Sequence, residues 1–140
     1  MMDLTFKQIE TEDELQKVLE LCYRVLGEWN NELYGYDAWR ERWKDGLQPL
    51  VYAMKDDHVV SAVLGRAENK DSLIIGFVAC HEQYRRQGIT QRLMEYFETL
   101  AQEKGFRYIT LGSREDAFYE KCGYQIKFRN GEQNIFQKRL

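Results

Sequence analysis

Residues 72–113, SLIIGFVACHEQYRRQGITQRLMEYFETLAQEKGFRYITLGS, decide the predicted fold. The stretch begins with the apolar segment SLIIGFVAC and ends with RYITLGS, and both are typical of buried strands. Between them lies a predicted helix, whose apolar stripe is formed by Ile89, Leu93, Phe97, Leu100 and Ala101. A strand, a helix and a second strand in this order form a right-handed crossover, which makes the two strands parallel. The stretch therefore predicts one parallel pair of strands inside the sheet.

Short strands precede and follow this crossover. The segments with the spacing or composition of strands are LTFKQIE, LVYAM, HVVSAVLGRAE, YQIKF and NIFQKRL. Consecutive strands joined by short turns pair antiparallel. Together with the helices they give the order β-α-α-β-β-β-α-β-α-β-β, with no linker composition to divide residues 1–140 into two domains. The sequence predicts a single α+β domain with a mixed, mostly antiparallel central sheet and helices on both faces.

Two helix beginnings are predicted from the residue types that cap helices. Thr11 and Glu14 are spaced as a capping box for the first helix, whose apolar positions continue to Trp29. Ser113 and Asp116 have the same spacing before the last, short helix. We therefore expect a side chain to cap the N-terminus of each of these two helices.

The composition excludes several classes of protein. The chain has 140 residues, 44% of them hydrophobic, and its 20 Lys and Arg against 23 Asp and Glu give a net charge of -3. No broad basic surface for nucleic acid is expected from this balance. No run of eighteen apolar residues occurs, so neither a membrane span nor a signal peptide is predicted, and we expect a cytoplasmic protein. The widely spaced Cys22, Cys80 and Cys122 suit reduced core thiols better than disulfides or a metal site.

The segment YRRQG, residues 84–88, predicts a local anion site where a strand passes into a helix. The first turn of a helix has unpaired N–H groups and a partial positive charge, so Arg85 and Arg86 are unfavourable there unless an anion joins them. Gly88 supplies the permissive backbone that a phosphate-binding turn needs. The Walker and dinucleotide-binding patterns are absent. A solvated connector without a ligand remains the alternative from the residues alone.

The segment FVACHEQYRRQGIT, followed by a helix and by YITLGSREDAFYEKCGYQI, resembles the GNAT N-acetyltransferase superfamily. The signature loop of that superfamily is Arg/Gln-x-x-Gly-x-Gly/Ala, which residues 85–90 match except at Thr90. The resemblance is close from Ser72 to Phe128 and weakest from Asn30 to Gly46, where the family binds its varied acceptors. It implies an enzyme that transfers an acetyl group from the co-substrate acetyl-CoA to a primary amine of a small molecule or peptide.

The resemblance also implies where coenzyme A lies. The strand before the loop splays from its parallel neighbour in this family, and its free backbone pairs with the pantetheine arm, while loop amides hold the pyrophosphate. The residues assigned to the coenzyme in this way are Val78, Ala79, Cys80, Arg85, Arg86, Gln87, Gly88, Ile89 and Thr90. Two effects of Thr90 stay open, because its hydroxyl would bind phosphate whereas its methyl group would hinder the approach of the phosphate.

Tyr119 is the candidate general acid. It matches the tyrosine that many GNAT enzymes direct at the coenzyme sulfur, and a phenol with a pKa of about 10 can protonate a thiolate whose thiol has a pKa of about 8.5. A half-buried tyrosine on an amphipathic helix, without a catalytic role, is the alternative from the residues alone. We expect Tyr119 to protonate the leaving sulfur.

His81 is the candidate base, because it ends the predicted splayed strand and histidine titrates near neutrality. A histidine next to a surface loop also needs no function. Glu68, Asp71 and Glu82 are the carboxylate alternatives, and an ordered water in place of a named base is another. No metal ligand set is predicted.

The first two helices and their connection carry an aromatic group, composed of Trp29, Tyr34, Tyr36, Trp39 and Trp43. Helical spacing favours core packing for Trp39 and Trp43, whereas the resemblance makes this region a wall of the acceptor pocket.

Taken as a whole, the resemblance implies an N-acetyltransferase acting by direct attack of an amine on the thioester. The alternative is a non-catalytic acyl-CoA-binding or interaction domain of the same fold, and a homodimer stays open in either case.

Overall fold

The computed structural model describes residues 4–27 and 32–140. The strands are β1 (Leu4–Gln8), β2 (Leu50–Lys55), β3 (His58–Ala67), β4 (Ser72–Cys80), β5 (Tyr108–Ser113), β6 (Gln125–Asn130) and β7 (Gln133–Arg139). The helices are α1 (Glu12–Leu26), α2 (Tyr36–Asp45), α3 (Ile89–Glu103) and α4 (Asp116–Lys121), with a 3-10 turn at Glu82–Tyr84. This is the element order that the sequence predicts.

The strands form one seven-stranded sheet in the order β1-β2-β3-β4-β5-β7-β6. Among the described strands only the β4–β5 pair is parallel, and it is the pair that the crossover through α3 predicts. The other neighbouring strands run antiparallel. The predicted mixed α+β fold is therefore confirmed.

Helices cover both faces of the sheet, and β2 demonstrates why. Val51 and Ala53 of this strand lie in one hydrophobic cluster, which also contains the buried side of α3. Leu50 and Tyr52 lie in a second cluster with α1 and Trp39. Because successive strand residues point to opposite faces, apolar residues at consecutive positions require a helix layer on each side.

One of the two predicted capping boxes is present. Thr11 caps α1, and its Oγ1 accepts a hydrogen bond from the Glu14 amide at 3.1 Å. The box predicted for α4 is wrong, because Ser113 still belongs to β5 and its Oγ accepts from the Glu115 amide. Asp116 begins α4, and its carboxylate accepts from Asn134 of β7, at 2.9 Å to each oxygen.

The end of the first helix and the burial of the cysteines differ in part from the sequence-based expectations. Trp29, predicted to continue the first helix, lies outside the described residues, and α1 ends at Leu26. The three cysteines are free. Cys22 is buried, as predicted, whereas Cys80 and Cys122 are only half-buried, and of these two Cys122 packs against the core cluster around α3. Among the helices that the structure describes, none has the length and apolar character needed to cross a membrane.

Candidate active site

The two parallel strands diverge soon after they begin to pair. Only Ser72 to Ile74 of β4 pair with Tyr108 to Thr110 of β5, although β4 continues to Cys80 and β5 to Ser113. The same point of β4 carries a bulge, because Leu64 faces Phe77 while its neighbour Gly65 faces Ile75. Gly76 is the extra residue, and a bulge bends its strand. The result is a gap between β4 and β5 that opens toward the loop before α3.

Aromatic rings pack directly on the bulge. A Cβ at Gly76 would lie 2.6 Å from Cε1 of Tyr34 and 2.9 Å from Cη2 of Trp39, so only glycine fits there. The two rings are stacked with centroids 5.7 Å apart. Trp39 is fully buried, as helical spacing favours, whereas Tyr34 borders the cavity described below. Of the aromatic group of the sequence, Trp39 is thus a core residue and Tyr34 a wall residue, whereas Tyr36 and Trp43 are half-buried against the core cluster of Trp39.

The backbone of β4 presents a free edge to this gap. The His81 amide donates to the Val60 carbonyl at 2.8 Å, and the Ala79 carbonyl accepts from the Ser61 hydroxyl at 2.9 Å, so both face β3. Backbone groups of alternate strand residues point to opposite edges. Val78 and Cys80 therefore direct their amides and carbonyls into the gap, whereas the carbonyl of Ala79 does not.

The loop before α3 leads into a helix N-terminus that no side chain of the described residues caps. Arg86 has a φ of 64° and Gly88 a φ of 76°, so the chain turns through the left-handed region twice within three residues. Gly88 is the N-cap, and the first turn of α3 contains no acidic residue. Left-handed residues in such loops form anion-binding concavities from successive amides. A left-handed arginine costs about 1–2 kcal/mol, and strain of this kind is typical of functional sites.

The other predicted loop residues line the same end of the gap. Arg85, Arg86 and Gln87 are exposed, and within the described part of the chain neither arginine forms an ion pair. Ile89 is buried and anchors the helix, so that only its backbone can serve a ligand. Two cations and an uncapped helix end therefore face the cavity together.

Thr90 makes a contact that the sequence does not predict. Its Oγ1 lies 2.9 Å from the Oγ of Ser61, which is fully buried on β3. Ser61 in turn donates to the Ala79 carbonyl. A serine within an apolar strand gives no signal of such a role, because its partners are distant in sequence.

A cavity of about 1120 Å³ joins these features. Its walls come from β4, β5, the loop before α3, α4 and the end of α1. The volume exceeds the roughly 300–1,000 Å³ of ordinary small-molecule pockets. The site can therefore hold an elongated ligand together with a second reactant.

Tyr119 lies at the wall of this cavity, on α4. The residue is 5% exposed and packs against Phe118 and Phe136, with ring centroids 4.9 and 5.5 Å away. Burial, followed by the nearby Cys122 and Glu115, raises the pKa of Tyr119 above its ordinary value. Its hydroxyl makes no hydrogen bond with the described residues. The phenol thus stays protonated at neutral pH, and its raised pKa makes proton transfer to a thiolate costlier than for an ordinary tyrosine.

The structure does not bring His81 to the cavity wall. Its Nδ1 accepts a hydrogen bond from the Gln83 amide at 3.1 Å, and its ring meets the edge of Tyr84. Histidine here caps the 3-10 turn. Among the carboxylate alternatives, Glu82 pairs with Arg24 on α1.

Glu115 is a wall residue that the sequence analysis misses. It is the one carboxylate among the described cavity residues, whereas Glu68, Asp71 and Glu82 lie elsewhere. It is the N-cap residue of α4, four positions before Tyr119. This helical spacing was the available signal, since residues four apart share a face.

The fold and the cavity define a class of protein: an acyltransferase-like domain with a slot between diverging strands and an anion site at one end. A family model described as the Acetyltransferase (GNAT) family matches residues 12–124. The chain therefore belongs to the GNAT acetyltransferase family, as the sequence resemblance implies.

Solved structures have the same fold. The chain is similar to a GNAT family acetyltransferase from Elizabethkingia anophelis with acetyl-CoA bound, with 15% identity, a TM-score of 0.76 and 99% of each chain covered. The PaiA N-acetyltransferase from Thermoplasma acidophilum, in complex with coenzyme A, has 17% identity and a TM-score of 0.75, covering 99% of this chain and 100% of that one. An aminoglycoside 6'-N-acetyltransferase complexed with coenzyme A has 16% identity and a TM-score of 0.77, with 96% of each chain covered. No curated protein matches the sequence.

Proposed function

We propose that this protein is an N-acetyltransferase that uses acetyl-CoA and acetylates a primary amine by direct attack on the thioester. Membership of the GNAT family and similarity to proteins crystallised with coenzyme A or acetyl-CoA support the coenzyme. The observation that carries the proposal is the cavity itself. At one end it has two arginines and a helix N-terminus that no described side chain caps, and on its wall is a protonated Tyr119 with no hydrogen bond to the described residues.

The proposed position of the coenzyme follows from the backbone amides and carbonyls that have no hydrogen-bond partner among the described residues. The amides of Arg86 to Thr90 bind the pyrophosphate, because an uncapped first turn is a ready anion site. Val78 and Cys80 offer amides and carbonyls to the pantetheine arm, which takes the place of the missing strand partner. The thioester, which supplies the activated acetyl group, then lies near the bulge at Gly76.

The proposed reaction forms one C–N bond and breaks one C–S bond. The neutral amine enters from the side of Tyr34 and attacks the carbonyl carbon, and the electron pair of the breaking bond remains on sulfur. Tyr119 donates its proton to that sulfur. The proton that the amine loses passes through water to Glu115, since His81 is held in its turn. Transfer of that proton through water to the Tyr119 phenolate then restores both groups.

Tyr119→Phe tests the proposal. The variant keeps the ring packing, so acetyl-CoA affinity should stay within about twofold, whereas kcat should fall by about 10²- to 10⁴-fold. Tyr124→Phe is the matched control, because Tyr124 is equally buried but donates its hydroxyl to Glu98 at 2.9 Å, outside the cavity. We expect the control to lose stability, by about 1 kcal/mol, and to keep kcat.

Thiol release from acetyl-CoA with a panel of small amines, amino acids and peptides separates the enzyme from the non-catalytic alternative. Turnover with any amine, lost in Tyr119→Phe, supports the proposal. Coenzyme binding without turnover across the panel would favour the acyl-CoA-binding domain. We place the protein in the cytoplasm, which the three free cysteines support.

A further inference from the structure

A chain of two hydroxyl groups connects the two parts of the proposed coenzyme site. Thr90 lies in the first turn of α3, Ser61 on β3 and Ala79 on β4. The Thr90 and Ser61 oxygens are 2.9 Å apart, and the Ser61 oxygen is 2.9 Å from the Ala79 carbonyl. Ser61 is fully buried, so water does not compete for these bonds.

The direction of the protons in this chain follows from what each group can do. A carbonyl oxygen only accepts, so the single proton of Ser61 is donated to Ala79. The Ser61 oxygen must then accept in its other bond, and Thr90 is the donor. The hydroxyl proton of Thr90 is therefore used within the protein and is not available to a phosphate.

We propose that Thr90 and Ser61 are positioning residues, which hold the N-terminus of α3 against β4 so that the coenzyme meets both in a fixed arrangement. Ala79 lies between Val78 and Cys80, whose backbones face the gap, and Thr90 is two residues after Gly88. The hydroxyl chain thus ties the strand edge to the helix end. This inference rests on the proposed coenzyme position.

The hydroxyl chain also resolves the two open effects of Thr90. Glycine or alanine, the residues of the family signature at this position, have no hydroxyl to offer. In this protein the side chain turns inward to Ser61, and its amide remains with the other loop amides. Thr90 therefore acts on the phosphate through the position of the backbone.

A double-mutant cycle tests the proposal, with Thr90→Val, Ser61→Ala and the double variant compared with the parent. We expect each single variant to raise the Kd for coenzyme A and the KM for acetyl-CoA by about 3- to 10-fold, with kcat unchanged, because one buried hydrogen bond sets the geometry. The double variant should have an affinity for coenzyme A no lower than that of the single variant with the lower affinity, because both substitutions disrupt the same chain of hydrogen bonds. Thr90→Ser, which keeps the hydroxyl, should restore binding.

Thr99→Val is the control, because its hydroxyl also lies on α3 but bonds the Glu95 carbonyl of the same helix. Ser61→Cys replaces Ser61→Ala if the alanine variant does not fold. Weaker binding in Thr90→Val but not in the Ser61 variants would overturn the proposal and show a direct phosphate contact. If the affinity for coenzyme A is unchanged in both variants, the two hydroxyls contribute only to stability and the proposal is wrong. A parent protein that binds no coenzyme A would instead refute the proposed function and, with it, this inference.

Discussion

The helices α1 and α3 are alike in length and packing and differ at their N-termini. Each has fifteen residues and packs its apolar side on the sheet, α1 on one face and α3 on the other. The N-terminus of α1 is closed by its own side chains, whereas that of α3 has a glycine N-cap and no side-chain cap. The helices α2 and α4 also lack a side-chain cap, so this feature alone indicates no ligand. At α3 it coincides with a left-handed loop and with two arginines that have no ion pair among the described residues, and this combination indicates a ligand site.

The charges around the two helix ends differ in the same way. The first turn of α1 carries three carboxylates, and each pairs with a nearby cation: Glu12 with Arg40, Asp13 with Lys17 and Glu14 with Lys7. This arrangement satisfies the helix dipole within the fold. At α3 the nearby charges, Arg85 and Arg86, have the same sign as the helix end and no ion-pair partner among the described residues. The positive charge at the N-terminus of α3 therefore requires an anion from a ligand to balance it.

Of the variants at the two helix ends, Gly88→Val should weaken the binding of coenzyme A most. The Cβ at this position would meet no atom within 4 Å, but its φ of +76° is strained for valine and the loop amides must shift. Losing one or two charge-assisted hydrogen bonds, at about 1.5–3 kcal/mol each, predicts an affinity for coenzyme A about 100-fold lower by calorimetry. Gly131→Val is the control, since it has a φ of +67°, equally open surroundings and a place in the β6–β7 turn. Equal affinity in parent and Gly88→Val would remove the pyrophosphate from this loop.

Neutralising both arginines should have the next largest effect. In the double variant Arg85→Gln and Arg86→Gln, affinity for coenzyme A should fall by about tenfold at low salt, and the difference should shrink as added salt screens the charges. Arg40→Gln removes a cation near the N-terminus of α1 and should leave affinity unchanged, because Arg40 is paired with Glu12. A salt-independent loss, or an equal loss in Arg40→Gln, would contradict the assignment of these charges to the coenzyme.

Gln91→Glu should give the end of α3 part of the character of α1. Gln91 is the third helical residue of α3, as Glu14 is of α1, and it borders the cavity. The added carboxylate should stabilise the free protein by about 0.3–1 kcal/mol through the helix dipole. Its repulsion of the pyrophosphate should raise the Kd by about three- to fivefold in the same thermal and calorimetric measurements. Gln102→Glu, in the last turn of α3, is the control: the same helix dipole should lower its stability slightly, and the Kd for coenzyme A should not change.

The sequence predicts the scaffold because its signals are local. The apolar stripe of α3, the capping pair at Thr11 and the loop at Gly88 each depend on neighbouring residues, and each is found where expected. The predicted cap at Ser113 is wrong because β5 continues through that residue and Asp116 bonds to Asn134. That partner is eighteen residues away, and sequence spacing gives no sign of it.

The interior of the site is less predictable for the same reason. The contact of Thr90 with Ser61 joins residues twenty-nine apart, and the place of Glu115 on the wall depends on how α4 packs. His81 lies at the end of β4 as predicted, but its bond to the Gln83 amide is visible only in the folded turn. Local sequence predicts the permissive glycine at the start of α3, and tertiary packing decides which side chains lie around it.

Glu14→Gln should have the smallest effect on coenzyme binding, because Glu14 lies at the N-terminus of α1. This variant tests whether the charge of Glu14 stabilises that helix end. Partial burial alone would raise the Glu14 pKa, but hydrogen bonds from Tyr52 and Thr11 and the charge of Lys7 outweigh it, so the pKa lies below its ordinary value. A carboxyl whose pKa is lower in the folded state contributes stability above its unfolded pKa and loses it as the pH falls through the folded pKa.

We therefore expect Glu14→Gln to lower the free energy of unfolding by about 1 kcal/mol at pH 7, with an unchanged Kd for coenzyme A. The difference from the parent should shrink as the pH falls from about 6 to 3, because the parent then protonates Glu14 and loses the same charge. Urea unfolding of both proteins across this range measures the difference directly and cancels the titration of all other carboxyls. A difference that stays constant with pH would mean that the charge of Glu14 is not what closes α1. Weaker coenzyme binding would mean that the two helix ends are not independent.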